Sequence, residues 1–119
     1  RGGKQPNYSA ADVDATCAVL KAAGLREQVM IDVSHANSSK QHQRQIVVAA
    51  DVAAQIAAGD QRITGIMIES HLEEGRQDIV TGVPLKHGVS VTDACISMAQ
   101  TVPVLEQLAQ AVRQRRSSH

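Results

Sequence analysis

The chain has 119 residues, with 12 basic and 12 acidic side chains and a formal net charge of zero, so it carries no charge footprint for a nucleic acid or an anionic membrane surface. Hydrophobic residues make up 43%, yet there is no Trp, no Phe and one Tyr. A core must therefore come from Ala, Val, Ile, Leu and Met, whose small volumes suit helices packed closely on a parallel sheet. Two isolated cysteines are no disulfide framework, no apolar run is long enough to span a bilayer, and no segment reads as a signal peptide; the default expectation is a reduced, cytoplasmic setting.

The chain opens on Arg1-Gly2-Gly3-Lys4. A Gly-Gly flanked by cations normally follows a strand, and none precedes it here, so the segment reads as part of a motif that starts further upstream. Ser9 is a candidate N-cap with Asp12 completing a weak capping box. Val13, Cys17 and Leu20 recur at helical spacing, and Gly24 is placed to close that helix. Cys17 reads as a small buried hydrophobe. Val29 to Val33 is a short apolar run rich in β-branched residues, hence a strand, and it ends in the polar turn Ser34-His35-Ala36-Asn37-Ser38-Ser39. A second helix is expected from Lys40 to Ala58, with Ile46, Ala49, Ala50, Ala53 and Ile56 as its apolar stripe. Ile63 to Ile68 is a second strand, ending at Glu69-Ser70-His71.

A long stretch from Leu72 to Val91 has no strong period, and loops of that length are often functional. A last helix is expected with Thr101 as its cap, Pro103 in its first turn, and Leu105, Leu108 and Val112 along one face. The basic cluster Arg113, Arg115 and Arg116 reads as a solvated helix end favoured by the macrodipole. Strands alternating with helices indicate βα units and a parallel sheet, and two strands are too few for a complete one.

In βα folds the chemistry gathers at the C-terminal ends of the strands. The first strand ends near His35 and the second at Glu69, while Asp93 follows the long loop. One imidazole and two carboxylates on one rim would make a mixed nitrogen and oxygen site suited to Mn²⁺, Fe²⁺, Co²⁺ or Zn²⁺. Each residue also has a plainer reading, as a hydrogen-bonding histidine, a solvated carboxylate or a helix cap. His71 is a further ligand candidate by spacing, facing the same site as Glu69 only where the strand has already ended, whereas His42, His87 and His119 read as surface residues. Arg1 with its glycines, and the Asn37-Ser38-Ser39 turn ahead of a helix, are candidate anion sites.

Four blocks occur in order: Arg1-Gly2-Gly3-Lys4-Gln5-Pro6-Asn7-Tyr8-Ser9, Met30-Ile31-Asp32-Val33-Ser34-His35-Ala36-Asn37-Ser38-Ser39-Lys40, Met67-Ile68-Glu69-Ser70-His71-Leu72 and Thr92-Asp93-Ala94-Cys95-Ile96. Their succession closely resembles the C-terminal part of the type I, feedback-regulated 3-deoxy-D-arabino-heptulosonate 7-phosphate (DAHP) synthases. The resemblance covers essentially the whole chain; the blocks holding His35 and Glu69 are specific, and the helices between them are generic. It implies a (β/α)₈ barrel, of which residues 1–119 form the C-terminal segment from the end of strand 6 through helix 8, with the N-terminal part of the barrel absent.

The implied activity is the condensation of phosphoenolpyruvate with erythrose 4-phosphate, releasing phosphate, as the first step of the shikimate pathway to aromatic amino acids. The implied cofactor is a divalent metal held by a Cys, a His, a Glu and an Asp. By motif, His35, Glu69 and Asp93 match the last three, His35 and Asp93 are the catalytic candidates, and Arg1 matches an arginine that binds the phosphate of phosphoenolpyruvate. The ligand Cys belongs to an upstream motif, and neither Cys17 nor Cys95 sits in it. A homo-oligomeric parent enzyme is expected, with no nucleic acid or membrane partner. The segment by itself is expected to be inactive and to persist by association or swapping. Two other readings stay open: a Schiff-base aldolase segment with Lys4 as nucleophile, and a non-catalytic α/β interaction module.

Overall fold

The computed structural model describes residues 1–118. Its order is α1 (Ala10–Ala22), β1 (Val29–Asp32), a 3₁₀ turn (His35–Ser38), α2 (Arg44–Ala57), β2 (Ile63–Met67) and α3 (Met98–Ser117). This is a mixed α/β arrangement in which β1 and β2 pair in parallel. The pairing sets Ile31 opposite Ile66 and Asp32 opposite Met67, so both strands finish at the same edge.

The first helix forms as its sequence requires. The Ser9 side chain accepts from the Asp12 amide, and the Asp12 carboxylate reaches back to Ser9. At its other end Gly24, at φ +73°, lets the Leu25 amide return to the Leu20 carbonyl and its own amide to Lys21, satisfying carbonyls that the helix leaves free. Val13 and Cys17 are buried in the core with Ile31, Val33, Val48, Val52, Ile56, Ile63 and Val104.

The second helix starts at Arg44, later than Lys40, because Ser39 and Lys40 both take left-handed backbone angles that no α-helix tolerates. Its buried face is Gln45, Val48, Ala49, Val52, Ala53 and Ile56; Ile46 and Ala50, expected in the stripe, are only half-buried. The third helix is capped by Ser97, not Thr101. The Ser97 side chain accepts from the Gln100 amide and the Gln100 side chain accepts from the Ser97 amide, a complete capping box that starts the helix earlier. Thr101 lies inside the helix, its hydroxyl bonded to the Ser97 carbonyl and to Ser70. Pro103 therefore falls in the second turn. The buried face is Thr101, Val104 and Ala111, while Leu105 is exposed and Leu108 and Val112 are half-buried.

Arg115 is no solvated end charge. Its guanidinium donates to the carbonyls of Asp60 (2.9 Å) and Ile63 (3.4 Å), tying α3 to the start of β2. Arg62 bridges Asp60 and Asp14 beside it, at 2.9 and 2.6 Å.

The stretch between β2 and α3 is folded by backbone bonds. His71 donates to Ile96, Gly75 and Cys95 exchange two bonds, and Gln77 donates to Ser90. The Gln77 side chain also holds Lys86 and Val89. His42, expected at the surface, is mostly covered: its Nε2 lies 2.9 Å from Glu74, fastening this loop to the approach to α2 and holding the Glu74 carboxyl below its ordinary range. His87 is exposed as expected, and His119 lies outside the described residues.

Candidate metal centre

The two strands deliver His35 and Glu69 to one edge, just beyond their last paired residues. His35 opens the 3₁₀ turn at φ +51°, an unusual angle for a residue with a Cβ. Its Nδ1 lies 2.8 Å from Asp32 Oδ2. That contact turns Nε2 towards Glu69 Oε1 (3.8 Å) and Asp93 Oδ2 (3.7 Å).

Glu69 is held at both its backbone and its carboxylate. Gln45, 1% exposed, accepts from the Glu69 amide (2.8 Å) and donates to the Glu69 carbonyl (3.1 Å). The Ser34 hydroxyl donates to Glu69 Oε1. Asp93 arrives from the long loop, with its side chain 67% exposed. The loop reaches it through bonds on either side: Arg76 donates to the Thr92 carbonyl, and the Ile96 amide donates to the Glu69 carbonyl.

One ligand atom from each of His35, Glu69 and Asp93 lies within 4.8 Å of the others, and this is the one such cluster of His, Cys, Asp and Glu among the described residues. Two donors about 2.1 Å from one ion would stand about 3.0–3.4 Å apart at 90–109°, so the set is slightly open and needs only small side-chain rotations to close. Imidazole plus two carboxylates fits a borderline divalent cation. His71 is not part of it; its Nδ1 accepts from the next amide, that of Leu72. Neither cysteine joins the cluster. Cys17 is fully buried in the core, and burial pushes the Cys95 thiol up.

The cluster lines a cavity of about 500 Å³, together with Arg1, Gly2, Gly3, Lys40 and Arg76. Three cations thus face the same space as the three candidate ligands. Arg1 owes its place to Asn37, which is buried: the Asn37 amide donates to the Arg1 carbonyl, and its side-chain oxygen accepts from the Asn7 amide. Gly2 makes this approach possible, since at φ +77° a Cβ there would meet Ala36 Cβ at 2.8 Å.

The Asn37-Ser38-Ser39 turn is not an anion site. The amides of Asn37 and Ser39 are taken by the carbonyls of Ser34, Arg1 and Ala36, and Ser38 is buried with its hydroxyl on His35. Lys4 is exposed and does not line the cavity, which removes the support for a Schiff-base nucleophile there. Sequence reasoning missed Asp32, Asn37 and Gln45 as supports of the site. Asp32 had a visible signal, a charged residue inside the apolar Val29–Val33 run.

A family model described as the DAHP synthetase I family matches residues 1–106. The chain is 56% identical over 116 residues to a Phe-sensitive phospho-2-dehydro-3-deoxyheptonate aldolase of Escherichia coli, covering 98% of this chain and 33% of that protein. It is 54% identical over 123 aligned positions to a tyrosine-inhibited one of Schizosaccharomyces pombe, again 33% of that protein. A solved structure of such an aldolase from Francisella tularensis superposes with a TM-score of 0.92 at 49% identity, over 97% of this chain and 33% of the other. The chain thus spans about a third of the length of the relatives it matches. With a family match over most of its length and half its residues identical to these enzymes, the chain belongs to the DAHP synthetase I family.

Proposed function

We propose that the chain is the C-terminal segment of a (β/α)₈ barrel enzyme that condenses phosphoenolpyruvate with erythrose 4-phosphate to DAHP and phosphate, and that His35, Glu69 and Asp93 are three of its metal ligands. The observation that carries this reading is the convergence of those three ligand atoms in a cavity that also presents Arg1, Lys40 and Arg76. Both substrates are phosphorylated, and fixed guanidinium and ammonium groups are what phosphate recognition requires. The fourth ligand would be a cysteine from the upstream part of the barrel.

When bound, a divalent ion at this set would supply Lewis-acid polarisation of the aldehyde oxygen. Arg1 would grip the phosphate of phosphoenolpyruvate, its backbone held by Asn37. Carbon 3 of phosphoenolpyruvate would then attack the aldehyde carbon, water would add at carbon 2, and the resulting hemiketal phosphate would lose phosphate. Asp93 makes no side-chain hydrogen bond among the described residues, which leaves its carboxylate able to accept a proton or a hydroxyl hydrogen bond from the aldose. His35 would serve as a ligand from the same side, its Nε2 turned to the space that Asp93 faces.

The shape supports a segment of something larger. The radius of gyration is 16.4 Å and the extents are 55 × 31 × 19 Å, against about 13.5 Å for a compact domain of this length. Val19, Leu25, Met30, Ile79 and Val83 are each more than half exposed. Alone, the segment would be inactive and would bury these faces by association, and the parent would be a homo-oligomer in the cytoplasm. The test is DAHP formation by the full-length enzyme: EDTA should abolish it, Mn²⁺, Fe²⁺, Co²⁺ or Zn²⁺ should restore it, and Glu69→Gln should prevent restoration. Full activity in Glu69→Gln would refute the assignment.

A further inference from the structure

We infer that Asp32 is a positioning residue, fixing both the orientation and the protonated nitrogen of the His35 ring so that a bare Nε2 faces a divalent cation. The inference rests on the metal reading above and concerns a residue that reading does not use. Asp32 is the last residue of β1, where its side chain is only 16% exposed. Three bonds fix it: Oδ1 accepts from the Ser34 amide (2.8 Å), Oδ2 faces His35 Nδ1 (2.8 Å), and its carbonyl accepts from Asn37 Nδ2 (2.8 Å).

A carboxylate offers only acceptors. Nδ1–H of His35 is therefore the donor across this contact, and Nε2 is the ring nitrogen left to face the cluster. That nitrogen is the one 3.8 Å from Glu69 and 3.7 Å from Asp93. A ring turned over, or protonated at Nε2, has nothing to give a cation at that position. The backbone points the same way. His35 sits at φ +51°, a conformation unfavourable for a residue with a Cβ that persists where its surroundings enforce it. Asp32 binds the amide just before it and the ring of His35 itself, which makes the enforcing group and the orienting group one side chain.

The experiment titrates Mn²⁺ into the metal-free full-length enzyme by calorimetry, comparing wild type, Asp32→Asn, Asp32→Ala and Glu69→Gln. In Asp32→Asn the side-chain oxygen still caps the Ser34 amide, so the amide nitrogen meets His35 Nδ1 as a donor and drives the ring proton to Nε2. We expect Mn²⁺ affinity to fall about 10–100-fold with the thermal midpoint of the metal-free protein unchanged. Asp32→Ala should lower the midpoint but weaken Mn²⁺ less, since it leaves the ring free rather than wrongly protonated. A structural role alone predicts the reverse ranking. Affinity in Asp32→Asn within about twofold of wild type, or better than in Asp32→Ala, would overturn the inference.

If either variant fails to fold, ¹⁵N-histidine spectra of the metal-free wild type decide the matter, with His35 assigned from its missing signal in His35→Gln. The singly protonated ring is expected to carry its proton at Nδ1, and a singly protonated ring with the proton at Nε2 overturns the inference. Glu69→Gln separates the two readings. If wild type binds no Mn²⁺, or Glu69→Gln binds it equally well, the metal reading fails and takes Asp32 with it. If Glu69→Gln loses Mn²⁺ and Asp32→Asn keeps it, Asp32 alone is refuted.

Discussion

Replacing Gln45 by Leu should weaken metal binding from a position that touches no metal. Gln45 is 1% exposed and makes two bonds to the Glu69 peptide. Leucine fills similar space, so no large cavity opens. The Glu69 carbonyl keeps a partner, the Ile96 amide at 3.1 Å. The Glu69 amide keeps none. A stranded buried N–H costs about 1–3 kcal/mol, and the lost carbonyl bond adds about 1 kcal/mol. Burial of the apolar leucine returns about 1 kcal/mol of this. The net loss is about 1–3 kcal/mol, and Glu69 can avoid part of it only by moving.

A ligand that moves forfeits metal affinity, tenfold for each 1.4 kcal/mol. Mn²⁺ titration of the full-length enzyme should show a loss of about 5–100-fold. Val52→Ala is the matched control: it lies on the same helix, is fully buried, and has no link to Glu69. It removes two methyl groups' worth of burial, about 2 kcal/mol, and should leave Mn²⁺ affinity unchanged. Equal losses of affinity in the two variants, or none in Gln45→Leu, would refute the reasoning, because the effect would then be general stability and not the Glu69 clamp.

Gly2→Ala forces a Cβ into φ +77° and against Ala36; at about 1–2 kcal/mol of strain, KM for phosphoenolpyruvate should rise about 5–30-fold with Mn²⁺ affinity intact, and unchanged steady-state kinetics would count against the role of Arg1. The Asp60 carboxyl is held below its ordinary value of 3.8, chiefly by the Arg62 hydrogen bond against an opposing push from burial. Its stabilisation is therefore full above that value and lost as pH falls through the lower folded value, so the stability gap between wild type and Asp60→Asn should be widest near neutrality and close in acid; a gap constant with pH in urea melts would contradict this. Cys95, whose thiol burial pushes up, and Cys17, fully buried, should both resist a thiol-specific disulfide reagent until the chain is denatured, and rapid labelling of the native protein would refute it.

Much of the fold was legible because local rules agree there with packing. Ser9 with Asp12, Gly24, and the β-branched strands each specify their element without help from distant residues. The misplacements have one cause, contacts that no local rule sees. Lys40 looks like a helix start, yet the His35 turn drives Ser39 and Lys40 left-handed and delays α2 to Arg44. Thr101 looks like a cap, yet Ser97 has its own Gln100, and Thr101 is needed inside the helix against Ser70. The ligand candidates His35, Glu69 and Asp93 were visible as polar residues at strand ends and after a long loop, and the structure brings all three together. Their supports were not. Gln45 reads as an ordinary exposed helix residue until Val48, Val52 and Ile56 are taken as the buried stripe, which puts it at the stripe's first position.

The three candidate ligands are not held alike, and the difference has a direction. His35 is oriented by Asp32, and Glu69 by Gln45 and Ser34, all from β1, its following turn and α2. Asp93 has no such partner among the described residues, and its position depends on the course of the loop. That course is fixed close by, where the Ile96 amide meets the carbonyl of Glu69, the same peptide that Gln45 clamps. One peptide unit thus joins the helix that sets the second ligand to the loop that carries the third. Loss of the clamp should displace two ligands together, whereas a change at Asp93 removes one and leaves the His35–Glu69 pair in place. The exposed candidate, Asp93, is then the least constrained of the three, and the clamped peptide at Glu69 keeps that freedom from becoming loss of the cluster.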